Sequence, residues 1–156
     1  MTIMNRLFTI VIISVLCLGA CVPGHNDFSD FRNLPPSGWQ YANVLTFNPE
    51  HGDSIAVGSL CVSLRHTDAY MFSNIWLEIE FADADKTVHR DTVNFKLADI
   101  YGRWLGIGNA TDFQVTDTVC KNLRHRNGSP VRVRHIMRVD TLTGIDIVGV
   151  TFNGYN

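Results

Sequence analysis

Asn74-Ile75-Trp76-Leu77-Glu78-Ile79-Glu80-Phe81 is the stretch on which the fold of this chain turns. Side chains on a strand point alternately to opposite faces, so Ile75, Leu77, Ile79 and Phe81 share one face and Trp76, Glu78 and Glu80 the other. A strand of this kind is buried on one side and wet on the other, as in an antiparallel sheet with a single packed face.

Working outward, the same period of two and the same enrichment in Val, Ile, Thr and aromatic residues recur over 41–47, 55–65, 87–97, 113–123, 131–138 and 145–152. Asp83-Ala84-Asp85-Lys86 is expected to turn one hairpin and Arg126-Asn127-Gly128-Ser129-Pro130 another, because Asn-Gly accepts the positive φ that tight hairpins need. No long amphipathic helix interrupts the pattern. The expected fold is all-β, a single antiparallel β-sandwich domain of about seven to eight strands over 37–156, since two packed sheets hide both apolar faces without crossover helices. The glycine-rich run Asp99-Ile100-Tyr101-Gly102-Arg103-Trp104-Leu105-Gly106-Ile107-Gly108 reads as an irregular crossover between the sheets.

The N-terminus belongs to a different regime. Arg6 precedes a mainly apolar run from Leu7 to Leu18, and Leu18-Gly19-Ala20-Cys21 follows. Twelve residues suit the hydrophobic region of a signal peptide, whereas a spanning helix takes about 20. Small residues ahead of a cysteine make this a lipoprotein signal: residues 1–20 are removed and the Cys21 thiol takes up diacylglycerol, each buried methylene adding roughly 0.8 kcal/mol of membrane affinity. The polar stretch 21–36, with Pro23-Gly24 and Pro35-Pro36, reads as a tether. Order is expected near Trp39, although Phe28, Phe31 and Leu34 also allow an early strand or helical turn.

Cleavage leaves one domain's length of chain and 12 basic against 15 acidic side chains, a balance opposed to nucleic-acid binding. Cys61 and Cys120 are compatible with a disulfide in this compartment, but Cys61 is out of phase with Leu60, Val62 and Leu64, and Cys120 with Val115 and Val119, which favours two free thiols. Among sites, no Gly-x-Ser-x-Gly elbow and no phosphate loop is present, so no catalytic residue is assigned. His25, His51, His66, His89, His125 and His135 lack paired metal spacing and are expected at the surface or at strand ends; no metal or cofactor is expected. Gly102, Arg103 and Trp104 form a candidate partner-binding anchor, since Trp and Arg dominate interface hot spots. The alternative is structural, with Trp104 packed between sheets and Arg103 paired to Asp99. Arg132, Arg134 and Arg138 are expected on one strand face. Trp39, Trp76 and Tyr101 are the aromatics a glycan-binding sandwich would use for stacking.

Four motifs carry a family resemblance: Leu34-Pro35-Pro36-Ser37-Gly38-Trp39; Leu64-Arg65-His66-Thr67 with Tyr70-Met71-Phe72-Ser73-Asn74-Ile75; Asp99 to Gly106; and Met137-Arg138 followed by Leu142-Thr143-Gly144-Ile145-Asp146-Ile147-Val148-Gly149. In this order they resemble the gliding-motility lipoproteins of the GldH type from Bacteroidota. The resemblance implies a small all-β lipoprotein without known catalysis, anchored in the outer membrane. It further implies an accessory or assembly role in the gliding motility and type IX secretion machinery, exercised through contacts with other gliding or secretion lipoproteins. Only the lipid site, Cys21, transfers by residue; Gly102, Arg103 and Trp104 match a family motif of unassigned role. Val22-Pro23-Gly24-His25 lacks the acidic run that resembles a surface-export signal, which points to the periplasmic face.

Overall fold

The computed structural model describes residues 26–155, so the expected signal peptide, the expected lipid site Cys21 and the first residues of the expected tether lie outside the described residues. The described chain is entirely β: β1 (Phe28–Asn33), β2 (Trp39–Gln40), β3 (Leu45–Phe47), β4 (Ile55–Thr67), β5 (Asn74–Ala82), β6 (Val88–Lys96), β7 (Ile107–Gly108), β8 (Asp112–Arg126), β9 (Val131–His135), β10 (Thr141–Leu142) and β11 (Ile145–Gly154). One sheet runs β1-β11-β4-β8-β7, the second β3-β9-β5-β6, and β10-β2 form a separate short pair. All pairings between these strands are antiparallel.

The sandwich follows from the alternation. Ile75, Leu77, Ile79 and Phe81 of β5 are buried and face Leu60, Val62 and Leu64 of β4 and Val148, Val150 and Phe152 of β11 in one hydrophobic core. On the outer face of β5, Glu78 and Glu80 meet their cross-strand partners instead. Arg134 Nε donates to Glu78 at 2.9 Å, and Arg90 and Arg132 both reach Glu80 at 2.6 Å. The expected basic stripe is thereby neutralised across the sheet, and Arg138 lies beyond the end of β9.

Four expectations are corrected. Arg126–Pro130 does not turn a hairpin: β8 and β9 belong to different sheets and do not pair, so the Asn127-Gly128 turn carries the chain from one sheet to the other. Order starts earlier than Trp39: of the two alternatives for Phe28, Phe31 and Leu34, the strand is what forms, because β1 completes the free edge of β11 in register from Phe28↔Phe152 to Asn33↔Ile147. Strands number eleven, since short pairings such as β2-β10 and β7-β8 carry no periodicity a sequence reading can detect. The stretch 41–47 is strand only from Leu45, because Tyr41 and Ala42 are in a turn held by Tyr41 N–H to Asp140 O and Asn43 N–H to Gln40 O.

Cys61 and Cys120 are free thiols. They sit on neighbouring strands, but a bulge pairs Leu60 with Cys120 and Cys61 with Thr118, which puts Cys120 beside the core together with Val115 and Val119, contrary to its expected phase, and leaves Cys61 on the other face, near Thr118 and Asn153. Side chains on opposite faces of a sheet cannot bridge.

Candidate functional site

The crossover from β6 in one sheet to β7 in the other is a pinned turn. Ala98 bridges Trp104, and Leu105 N–H donates to Leu97 O at 2.7 Å. Inside that frame the Asp99 carboxylate organises the loop: Oδ1 accepts the backbone N–H of Tyr101 at 2.8 Å and of Arg103 at 2.9 Å, and Oδ2 accepts Arg103 Nε at 2.7 Å. The Arg103 backbone bond and then its side chain hold the Asp99 carboxyl below its usual range. Gly102 takes φ +77° at the tip, a conformation that an L side chain resists, with nothing near its Cβ position. Gly106, at φ +96°, passes so close to β8 that a Cβ would strike the Gln114 carbonyl.

The candidate anchor residues therefore separate. Trp104 turns inward as a partly buried residue against the core, 4.7 Å from the His66 ring and 6.2 Å from Phe113. Arg103 stays outside, paired to Asp99 and 5.5 Å from the Tyr101 ring centre. What the loop presents is Ile100 and Tyr101, 84% and 77% exposed, together with Arg103; Ile107 and Met71 are also exposed. The sequence reading missed Ile100: its signal was a large apolar residue at the apex of a turn, where no strand face exists to bury it.

The aromatic set proposed for glycan stacking is not assembled. Trp39 is completely buried, its indole N–H on Asn43 O at 2.9 Å and its ring edge-on to His135, because the turn at 41–43 folds over it. Trp76 is half-exposed on the outer face of β5, in a shallow apolar hollow with Phe72, Ile136, Met137 and Val139. Tyr101 is on the crossover.

Histidines depart from expectation in burial. His51, His66, His125 and His135 are all buried, three of them at the ends of strands, each with one ring nitrogen on a backbone carbonyl: Asp53, Thr67, Ser129 and Trp39 in turn, at 2.7 to 3.1 Å. Burial pushes His66, His125 and His135 below their ordinary value. At a strand end one carbonyl falls outside the ladder, and an imidazole N–H satisfies it while the ring fills the core margin. Among the described residues no group of three or more His, Cys, Asp or Glu side chains comes together as a metal site.

The ends of the sandwich differ in what they carry. Asn26 is hydrogen-bonded to Asp53, beside the first residue of β4, whereas Trp104 packs on His66 near the last. Ile55 and His66 are about 35 Å apart along one strand, given the ordinary rise per residue. The chain thus enters at one end and the Asp99–Arg103 loop caps the other.

Comparison with known proteins agrees with the motifs. A gliding motility lipoprotein GldH homolog from Christiangramia forsetii (strain DSM 17595 / CGMCC 1.15422 / KT0803) is 30% identical over 70 residues, 45% of this chain and 43% of that relative, so the match spans less than half of its length. Among solved structures, an Eiger TNF from S. frugiperda aligns over 81% of this chain and 92% of its own at 9% identity and a TM-score of 0.36. A nora virus structure aligns over 83% and 57% at 15% identity and a TM-score of 0.29. The sequence pattern of the GldH lipoprotein family matches residues 26–152, essentially the whole described domain, and the chain belongs to that family of gliding-motility lipoproteins.

Proposed function

We propose that this chain is a non-catalytic accessory or assembly subunit of the gliding motility and type IX secretion machinery. In this reading it is anchored by a lipid on Cys21 in the outer membrane, with the domain on the periplasmic face. The carrying observation is Ile100 and Tyr101, two large apolar side chains held in water on a loop that Asp99, Gly102 and Arg103 make rigid. Exposed apolar residues on a pre-ordered loop lose little entropy on docking, which is the economy expected of a protein-contact surface. Placement supports the same reading. Cys21 precedes Asn26 by five residues, a reach of at most about 18 Å, so a lipid there keeps the Asn26 end near the bilayer and turns the Asp99–Arg103 loop away from it.

The test is affinity purification from membranes with cross-linking and mass spectrometry, comparing the native chain, Cys21→Ala and the double variant Ile100→Ser, Tyr101→Ser. Co-purified envelope lipoproteins or secretion subunits that are lost in both variants are the expected result. Recovery of the native protein alone contradicts the reading. In that case a polysaccharide array, with Trp76→Ala as control, examines the glycan alternative at the one stacking candidate that sits half-exposed in a hollow.

A further inference from the structure

We propose that His51 and His125 hold one shared proton between them, forming a proton-dependent latch at the end of the sandwich where the chain enters. The two rings form a continuous chain between two backbone carbonyls. His51 Nδ1 lies 2.7 Å from Asp53 O, His51 Nε2 lies 3.1 Å from His125 Nδ1, and His125 Nε2 lies 3.1 Å from Ser129 O.

Carbonyl oxygens only accept, so both outer nitrogens carry hydrogen. A neutral imidazole has one hydrogen, and both are then already placed. Two neutral rings would leave two bare lone pairs facing each other across 3.1 Å in a buried site. Two imidazolium rings would instead oppose two N–H groups. One added proton satisfies all three contacts at once, as Nε2–H···Nδ1 or its mirror, with a single positive charge spread over the pair.

The surroundings fit a proton rather than a larger cation. The Phe152 ring of β11 lies tilted against both rings, at 5.5 Å from His51 and 5.4 Å from His125, and Ala56 is the partner of His125 on β4. Charged neighbours are otherwise engaged: the Asp53 carboxylate accepts from Asn26, Arg124 reaches Asp85, Arg126 donates to Ala84 O, and Glu50 is exposed. Burial pushes His125 below its ordinary value, with the Ser129 carbonyl acting the other way, and a second proton on the pair would set two N–H groups against each other across 3.1 Å.

The latch joins two loops. His51 N–H donates to Asn127 Oδ1, Asn127 N–H to Ser54 O and Gly128 N–H to Pro49 O, and the Asp53 backbone N–H donates to Asn26 Oδ1. Loss of the shared proton opens one of the three contacts in the histidine chain. That loosens either the Asp53 turn, where Asn26 is held, or the Arg126–Ser129 turn between the two sheets.

The experiment is a long-range ¹H–¹⁵N titration of the histidine rings in the full-length protein in detergent micelles, from pH 8.5 to 5. The expected result is one midpoint shared by His51 Nε2 and His125 Nδ1 with the uptake of one proton, both outer nitrogens being protonated below it. Two separate midpoints with one full proton each overturn the proposal, as does an outer nitrogen that stays bare throughout. In His51→Gln the amide donates to His125 Nδ1 without an added proton, so the His125 midpoint is expected to fall by at least one pH unit. An unchanged midpoint overturns the proposal. His125→Gln, read at His51, gives the mirror test if the first variant fails to fold, and the native titration decides without either.

Discussion

Trp104→Ala separates the two roles sequence allows for the Gly102-Arg103-Trp104 motif. A fully buried Trp or Phe reduced to Ala costs about 3–5 kcal/mol. Trp104 is only partly buried, but it also gives up its edge contact with His66 at 4.7 Å and a tilted contact with Phe113, aromatic pairs worth roughly 0.5–1.5 kcal/mol beyond their area. The expected loss is about 2–3 kcal/mol, or roughly 10 °C in Tm for a domain of this size. Thermal unfolding by circular dichroism measures it. A second readout is specific to the geometry: burial is the first cause holding His66 below its ordinary 6.5, so removing the indole that covers it raises the His66 midpoint toward that value by NMR. A variant with unchanged Tm and unchanged His66 titration refutes the inward-facing assignment and returns Trp104 to the contact surface.

Gly106→Ala, blocked by both a φ of +96° and the Gln114 carbonyl, is expected to lose more than about 3 kcal/mol in denaturant unfolding, against about 1 kcal/mol for Gly102→Ala, which meets only the backbone restriction. Ile100→Ser with Tyr101→Ser should change stability by less than about 0.5 kcal/mol, since exposed side chains bury almost nothing on folding. For His66 and His135, whose folded values are depressed, the unfolded chain binds more protons below pH 6.5. Their contribution is complete above that pH and declines as pH falls through and below it, and urea midpoints at pH 7.5 and 5.5 should differ in that direction. Glu80 is lowered from 4.5 by Arg90 and then Arg132, so Glu80→Gln is expected to lose under about 1 kcal/mol at pH 7, with the difference from native vanishing as pH drops well below 4.5.

How much of this was legible in sequence depends on whether a residue's role is local. Period-two alternation in 74–81 placed Ile75, Leu77, Ile79 and Phe81 in the core correctly, and Asn127-Gly128 marked a turn, because both signals lie within a few residues; that this turn joins two sheets and not two paired strands depends on partners far along the chain. The crossover's irregularity was readable from its glycines, and pairing of Arg103 with Asp99 from their spacing. Burial of Trp39 and of four histidines was not readable. Each depends on a carbonyl or ring brought from afar: Trp39 O for His135, 96 residues away, or His125 for His51, 74 away. The bulge that separates Cys61 from Cys120 is likewise a property of two paired strands, invisible to the phase of either alone.

The central claim, that the Asp99–Arg103 loop is the protein-contact surface, is tested most directly by placing p-benzoylphenylalanine at position 101 and irradiating living cells. Position 76, on the outer face of β5, serves as control. The account predicts covalent adducts with other envelope proteins from position 101 that disappear in the Cys21→Ala background. Adducts from position 76 with none from 101 would contradict it.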